Sequence, residues 1–161
     1  MCTIMTTTDG EDIVIRPFTE SLPMALLQAR ESAMRLFRPL LAEHDLTEQQ
    51  WRVLRGLAGA RRGVEVTTLA DHTFLLAPSL SRILSNLEDR ALIERTRVAQ
   101  DQRRATITLT GAGRELVGQV APRFEATYNL IEEEFGAQRL AHLLDELHDL
   151  AALGASRPGS A

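Results

Sequence analysis

The stretch that most constrains the fold is residues 66–110, because its pattern predicts helices and strands in a fixed order. Residues 78 to about 90 carry apolar side chains at the spacing of one helix face: Leu80, Ile83, Leu84 and Leu87. The opposite face is polar and carries Ser79, Ser81, Arg82, Ser85 and Asn86. Pro78 suits a first helical position, where its missing N–H is not needed. Such a helix can enter a DNA major groove, where arginine bonds guanine and asparagine bonds adenine.

The second part of this stretch predicts a β-hairpin, or wing. Residues 92–95 and 105–109 read as two short strands, and the polar tip between them, residues 99–104, ends in Arg103 and Arg104. Residues 64–66 could add a third short strand. A shorter helix before residue 78 places His72 and Thr73 near a turn, where they could touch phosphate. The sequence thus predicts a mainly α fold with a small β-wing, built as a winged helix-turn-helix.

The charge distribution supports a local basic face on an acidic chain. The formal net charge is −4. Residues 77–104 nevertheless contain six arginines against four acids, whereas residues 125–149 contain seven acids against one arginine. A basic surface of this kind is what contact with phosphates requires. The alternative is that these arginines only keep the surface of the hairpin hydrated.

The motifs DHTFLLAPSLSRILSNLEDRALIER and DQRRATITLTGAGREL resemble the winged helix-turn-helix of the MarR family of bacterial transcription regulators. The segment LLQARESAMRLFRPLLAEHDLTEQQWRVLR is similar to the branch that regulates homoprotocatechuate (aromatic acid) degradation operons. The resemblance covers about residues 21–153. In one departure, Ala91 stands where the family usually has a glycine after the recognition helix. The resemblance therefore does not extend to the left-handed cap that glycine allows there.

The predicted DNA contacts follow from this arrangement. Arg82 is the predicted main base reader, helped by Ser79 and Ser81, with Ser85 or Asn86 further along the helix. Arg103 would reach the minor groove or its phosphates, Asp101 would orient Arg103 through a charge-assisted bond, and Arg104 would contact phosphate. Two recognition helices in a dimer should lie about one DNA turn apart, roughly 34 Å, so the operator should be a near-palindrome.

The resemblance also implies an effector, a small aromatic carboxylic acid such as a hydroxyphenylacetate, hydroxybenzoate or hydroxynicotinate. Its carboxylate would bind Arg30, which falls inside an apolar helical stripe; otherwise Arg30 reaches water or pairs with an acid of the protein. The pocket would be lined by Met34, His44 and Trp51. Trp51 could equally be core, and His44 could be a structural hydrogen bonder. The predicted function is a repressor that the acid releases from its operator.

The domain organisation is predicted from composition and periodicity. Residues 1–20 read as a flexible segment, 21–46 as an N-terminal dimerisation helix, and 47–110 as the DNA-binding domain. Residues 111–153 read as C-terminal dimerisation helices and 154–161 as a flexible tail. The leucines of the last helix repeat at three and four residues, which fits either core packing or a homodimer interface. The homodimer is favoured, because two-fold proteins match two-fold operators.

Other classes of function lack the residues they need. No catalytic constellation is assembled, the four histidines have no zinc-ligand spacing, and no cofactor motif is present. Cys2 is the only cysteine, and no apolar run is long enough to span a membrane. The prediction is a cytoplasmic bacterial protein that is not an enzyme. The alternatives are a regulator that ignores ligands and an enzyme of aromatic metabolism.

Overall fold

A computed structural model describes the backbone of residues 5–8, 11–60, 62–98 and 101–155, and side chains within residues 15–60, 62–96 and 105–153. The chain divides into two compact units, Met1–Thr47 and Glu48–Ala161. Each unit is described separately below. No helix in the described ranges is long and apolar enough to cross a membrane.

The first unit contains a β-hairpin, a short helical turn and one long helix. Strands β1 (Met5–Thr8) and β2 (Glu11–Val14) pair antiparallel, and a 3-10 helix spans Phe18–Glu20. Helix α1 covers Leu22–Ala42. The sequence predicted no regular elements within residues 1–20, so the hairpin was not foreseen, and the flexibility of this segment stays a prediction. The missed signal is the Asp9-Gly10 dipeptide between the two strand sequences, which is typical of tight hairpins.

The second unit is built on the buried faces of three helices. Helix α2 (Glu48–Ala58), helix α3 (Val66–Thr73) and helix α4 (Ala77–Asp89) supply most of its core. Their apolar residues recur at helical spacing, and the most deeply buried are Val53, Leu54, Leu69, Leu80, Leu84 and Leu87, all 0% exposed. The helix predicted from residue 78 to about 90 therefore exists and is shifted by one residue.

A three-stranded antiparallel sheet forms the wing. Its order is β3-β5-β4, with β3 at Val64–Glu65, β4 at Ile93–Val98 and β5 at Asp101–Leu109. Ile93 pairs with Leu109 at the base, and the register shifts between Arg97 and Val98. The wing strands are longer than predicted, and the third strand is shorter, because Val66 begins α3. The predicted mainly α fold with a small β-wing is confirmed.

The recognition-type helix α4 ends in a left-handed residue. Ala91 has φ 54°. Its N–H donates to Glu88 O at 2.8 Å and the N–H of Leu92 donates to Leu87 O at 2.9 Å. These two bonds are those of a Schellman motif, which usually has glycine at this position. The left-handed cap therefore forms with alanine in place of glycine.

Replacing Ala91 with glycine is expected to raise the free energy of unfolding by about 1 kcal/mol, because the left-handed region disfavours an L side chain. Thermal unfolding would show this as an increase in Tm. Ala126→Gly is the matched control, since Ala126 is exposed inside a helix. It should lower the free energy of unfolding by about 1 kcal/mol. If Ala91→Gly had a lower Tm than the wild type, the left-handed conformation of Ala91 would not be a source of strain.

Two long helices complete the second unit. Helix α5 covers Gly111–Phe135 and α6 covers Ala137–Ala155. The hydroxyl oxygen of Thr110 accepts from Gly113 N at 3.0 Å, so Thr110 is the N-cap of α5. Gly136 has φ 95° at the junction of the two helices. The leucine stripe of α6 includes Leu143 and Leu144, whose exposed fractions are 41% and 46%.

Candidate nucleic-acid interface

The outer face of α4 carries the predicted base readers. Pro78, Ser81, Arg82, Ser85 and Asn86 are exposed, and Ser79 is partly exposed. Arg82 makes no ion pair or hydrogen bond with any described residue, so its guanidinium is available to an outside acceptor. An unpaired arginine on a polar, exposed helix face can approach the edge of a guanine.

Two of the predicted readers are engaged within the protein. Ser85 Oγ donates to the carbonyl oxygen of Ser81 at 3.1 Å. Asn86 Oδ1 accepts from Gln50 Nε2 of α2 at 2.6 Å. The Asn86 side chain therefore ties α4 to α2, and its oxygen is already occupied. The residues toward the start of α4 are better placed for base reading than those toward its end.

The two residues predicted near the turn differ in exposure. His72 is exposed, whereas Thr73 is 1% exposed and its Oγ1 donates to Leu69 O at 2.6 Å. The carbonyl oxygen of Thr73 also accepts from Arg52 Nη1 at 2.9 Å. Burial and this internal bond argue against the predicted phosphate contact of Thr73, which instead fixes the turn. A threonine hydroxyl in a helix can donate to the backbone carbonyl four residues earlier, so Thr73 needs no hydrogen-bond partner outside the protein.

The wing residues are described by their backbone only. Asp101, Arg103 and Arg104 lie in β5, and their side chains fall outside the described part of the chain. Ala99 and Gln100 at the predicted tip also lie outside the described residues. The roles predicted for Arg103, Arg104 and Asp101 therefore remain predictions.

The residues predicted to hold an aromatic acid fall in both units. Arg30, Met34 and His44 belong to the first, and Trp51 to the second. Arg30 Nη1 lies 2.6 Å from Glu31 Oε1, and Arg38 Nη2 lies 2.7 Å from Glu31 Oε2. The hydrogen bond from Arg38, followed by the charges of Arg38 and Arg30, lowers the pKa of Glu31. Pairing of Arg30 with an acid was the alternative that the sequence left open.

An aromatic cluster within the second unit surrounds Trp51. Trp51 is 6% exposed, and its ring centroid lies 5.0 Å from that of Phe124, which in turn lies 6.3 Å from that of Tyr128. Arg55 Nη1 donates to Tyr128 Oη at 3.4 Å. The buried indole N–H of Trp51 has no hydrogen-bond partner among the described residues, although such groups are usually satisfied. An acceptor from outside the chain would complete this cluster.

Sequence reading found Trp51 but missed its partners. Arg55 follows Trp51 by four residues, and Tyr128 follows Phe124 by four residues, so each pair shares one helix face. That spacing was a usable signal for both helices separately. Contact between α2 and α5 spans 73 positions for Arg55 and Tyr128, which helical periodicity does not reveal. Within the described residues, no group of three or more metal-ligating side chains is present.

Helix α2 connects this cluster with helices α3 and α4. Its Trp51 and Arg55 contact residues of α5. Its Gln50 and Arg52 bond to Asn86 of α4 and to the carbonyl of Thr73 at the end of α3. Together these are called the α2 contacts. One helix thus touches both candidate sites.

Comparison with known proteins finds regulators of one family. The MarR family model matches residues 44–104. The homoprotocatechuate degradative operon repressor of Escherichia coli is 41% identical over 138 residues, which cover 86% of this chain and 93% of the repressor.

Two solved structures share the fold over most of their length. The crystal structure of NadR in complex with 4-hydroxyphenylacetate has a TM-score of 0.74 and 35% identity, covering 86% of this chain and 98% of NadR. The transcriptional repressor CouR, bound to a 23-mer DNA duplex, has a TM-score of 0.76 and 28% identity, covering 83% of this chain and 94% of CouR.

Proposed function

Since the chain belongs to the MarR family of transcription regulators, we propose that it is a homodimeric, sequence-specific DNA-binding repressor that a small aromatic carboxylic acid releases from a near-palindromic operator. The observation that carries the DNA-binding part is the exposed polar face of α4, where Arg82 makes no ion pair or hydrogen bond with a described residue. The CouR structure supports it, because that relative binds a DNA duplex. The exposed leucines of α6 support the dimer.

In the proposed complex the start of α4 lies in the major groove. Arg82 bonds a guanine through its fork of N–H donors, and Ser79 and Ser81 bond neighbouring bases or phosphates. His72, Arg103 and Arg104 contact the DNA backbone, and Asp101 orients Arg103. Pro78 packs beside the bases without donating a bond. Two copies of α4 about 34 Å apart would read two half-sites of one operator.

The test is fluorescence anisotropy with the DNA upstream of the protein's own gene, against scrambled DNA at the same salt concentration. Salt is held constant because phosphate contacts make affinity depend strongly on it. The titration is repeated with a panel of hydroxylated aromatic acids. Selective binding that one acid relieves supports the whole proposal. Selective binding that no acid weakens would contradict the proposed response to an effector. Equal binding to both DNAs would contradict the proposed sequence-specific DNA binding.

Replacing Arg82 with alanine is expected to weaken binding to the operator by about 1–3 kcal/mol and to relax the base preference at one position. Anisotropy with a set of single-base operator variants measures both effects. Arg114→Ala is the control for charge, since Arg114 is also an exposed arginine but belongs to α5 rather than α4. If Arg82→Ala weakened binding to cognate and scrambled DNA equally, Arg82 would be a phosphate contact.

For the effector we propose the aromatic cluster of Trp51, Arg55, Phe124 and Tyr128 as the binding site. The tilted and edge-to-face rings of Trp51, Phe124 and Tyr128 provide apolar surface for an aromatic acid. The indole N–H of Trp51, which has no hydrogen-bond partner among the described residues, provides a donor for an oxygen of the acid. Arg55 has no carboxylate partner among the described residues, whereas Arg30 is paired with Glu31. Arg55 is therefore the better candidate to take the carboxylate. NadR, a relative, binds 4-hydroxyphenylacetate.

Arg55→Gln is expected to weaken binding of a responsive acid by about 10-fold or more, because a charge-assisted bond contributes about 1.5–3 kcal/mol. Arg30→Gln, the matched control and the rival assignment, should change the affinity little. Trp51 is the single tryptophan, so quenching of intrinsic fluorescence reports on the site directly. If only Arg30→Gln weakened binding of the acid, Arg30 and not Arg55 would be the residue that binds the carboxylate.

A further inference from the structure

Two large apolar side chains are exposed where α3 turns into α4. Phe74 is 90% exposed and Leu76 is 78% exposed, the two highest values among the large apolar residues of the described side chains. Phe74 follows the last residue of α3, and Leu76 immediately precedes α4. Neither residue contributes to the core. Their position beside the first turn of α4 sets them apart from apolar residues scattered over the surface.

Phe74 occupies a conformation that is unfavourable for a bulky residue. Its φ and ψ are 51° and 37°, in the left-handed region. The turn is held there by backbone bonds from Phe74 N and Leu75 N to the carbonyl of Ala70, and by Arg52 on the carbonyl of Thr73. Strain of this kind concentrates at functional sites. The ring is thus directed into solvent by a turn that its own sequence does not favour.

Leu76 is an unusual residue for its position. It is the N-cap of α4, and no side-chain hydrogen bond caps the helix. Serine, threonine, aspartate or asparagine would satisfy a free N–H there. In a helix-turn-helix, the residues at the start of the recognition helix approach the base edges. A leucine at this place forgoes a polar contact and presents an apolar one next to Pro78.

We propose that Phe74 and Leu76 read the C5-methyl groups of thymines that flank the base bonded by Arg82. That methyl is the apolar feature of the major-groove edge, and aromatic and aliphatic side chains contact it. Phe74, Leu76 and Pro78 are all exposed and lie within five residues of one another at the start of α4. Double-stranded DNA is therefore the occupant that the neighbouring polar face also fits. This inference rests on the proposed DNA-binding function.

The test replaces thymines with deoxyuridine, which removes the methyl group and leaves base pairing unchanged. The probe is a duplex of about 30 base pairs, long enough for two half-sites, that the wild-type protein selects from random sequence. Each thymine is replaced in turn, symmetrically in both half-sites. Loss of one buried methyl corresponds to about a fourfold weaker affinity per half-site. We expect this loss at one or two thymine positions.

Two variants assign the effect to the named side chains. Phe74→Gly removes the ring and suits the left-handed turn, and Leu76→Ser removes the apolar contact and supplies an N-cap. Neither should lower Tm, so weaker binding by these variants is not explained by unfolding. Each is expected to bind the thymine duplex about fourfold or more weakly. Each should also lose its sensitivity to deoxyuridine at one position.

The outcomes separate this inference from the proposed function. Sensitivity to deoxyuridine in the wild type, absent in Phe74→Gly or Leu76→Ser, supports methyl reading. Selective binding without any sensitivity to deoxyuridine overturns methyl reading and leaves the DNA-binding function intact. Sensitivity that both variants retain also overturns it, since other residues then contact the methyl groups. Failure to select any duplex overturns the proposed function together with the inference.

Discussion

Replacing Gly113 with alanine is expected to lower the free energy of unfolding by about 3 kcal/mol, the upper range for forcing an extra methyl group into a packed site. Gly113 is buried in the first turn of α5. A β-carbon there would overlap the carbonyl oxygen of Leu92 and meet its carbonyl carbon at 3.0 Å. The obstacle is backbone, which cannot rotate away as a side chain can.

The backbone at Leu92 is fixed from two sides. Its carbonyl oxygen accepts from Thr110 N at 3.1 Å, and its N–H donates to Leu87 O at 2.9 Å. Relief of the overlap would therefore disturb both the cap of α4 and the start of α5. Chemical denaturation measures the loss as a lower midpoint. Gly118→Ala is the control, because a β-carbon at Gly118 meets no atom within 4 Å and alanine favours a helix. Equal stability of both variants would contradict the close approach at Leu92.

In the proposed homodimer, the double substitution Leu143→Glu with Leu144→Glu is expected to separate the protein into monomers and to weaken operator binding by about 100-fold or more. Both leucines lie on the exposed stripe of α6, where four new charges per dimer would be desolvated and would repel. A monomer loses the second half-site, which in a dimer binds as an intramolecular event. Light scattering coupled to gel filtration gives the mass, and anisotropy gives the affinity.

The matched control places the same charges on the opposite face of α6. Gln138→Glu with His142→Glu adds two carboxylates per chain at exposed positions. This variant should remain a dimer and bind the operator within a few fold of the wild type, because it repels DNA only at long range. A dimeric Leu143→Glu, Leu144→Glu variant would show that the exposed stripe does not form the interface.

Hydrophobic periodicity predicted the helices and strands whose position along the chain depends only on which side chains are buried. The spacing of Leu80, Leu84 and Leu87 placed α4 to within one residue, and alternation in residues 105–109 located the base of β5. Backbone conformations at turns were harder to predict from the sequence. Ala91 and Phe74 both adopt positive φ although neither is glycine, because surrounding hydrogen bonds overrule the local preference.

The candidate sites were predictable only in part, for a physical reason. Exposure on α4 follows from the helical pattern, so Arg82 and Ser81 were found. Contacts between distant segments do not follow from any local pattern. The bond from Gln50 to Asn86, the burial of Thr73 and the contact of Arg55 with Tyr128 all depend on tertiary packing. At these residues the structure shows contacts and burial that the sequence did not predict.

The α2 contacts carry a thermodynamic consequence. Helix α2 bonds to α4 through Gln50, and its Trp51 and Arg55 belong to the aromatic cluster proposed as the effector site. In the proposed regulator, occupancy of either site therefore acts on the same helix. Linkage of this kind is reciprocal. An acid that lowers operator affinity by some factor must itself be bound more weakly, by the same factor, when the operator is saturated. In the proposed regulator, operator DNA is therefore an antagonist of the acid, and a cell with many operator copies would need more acid to respond.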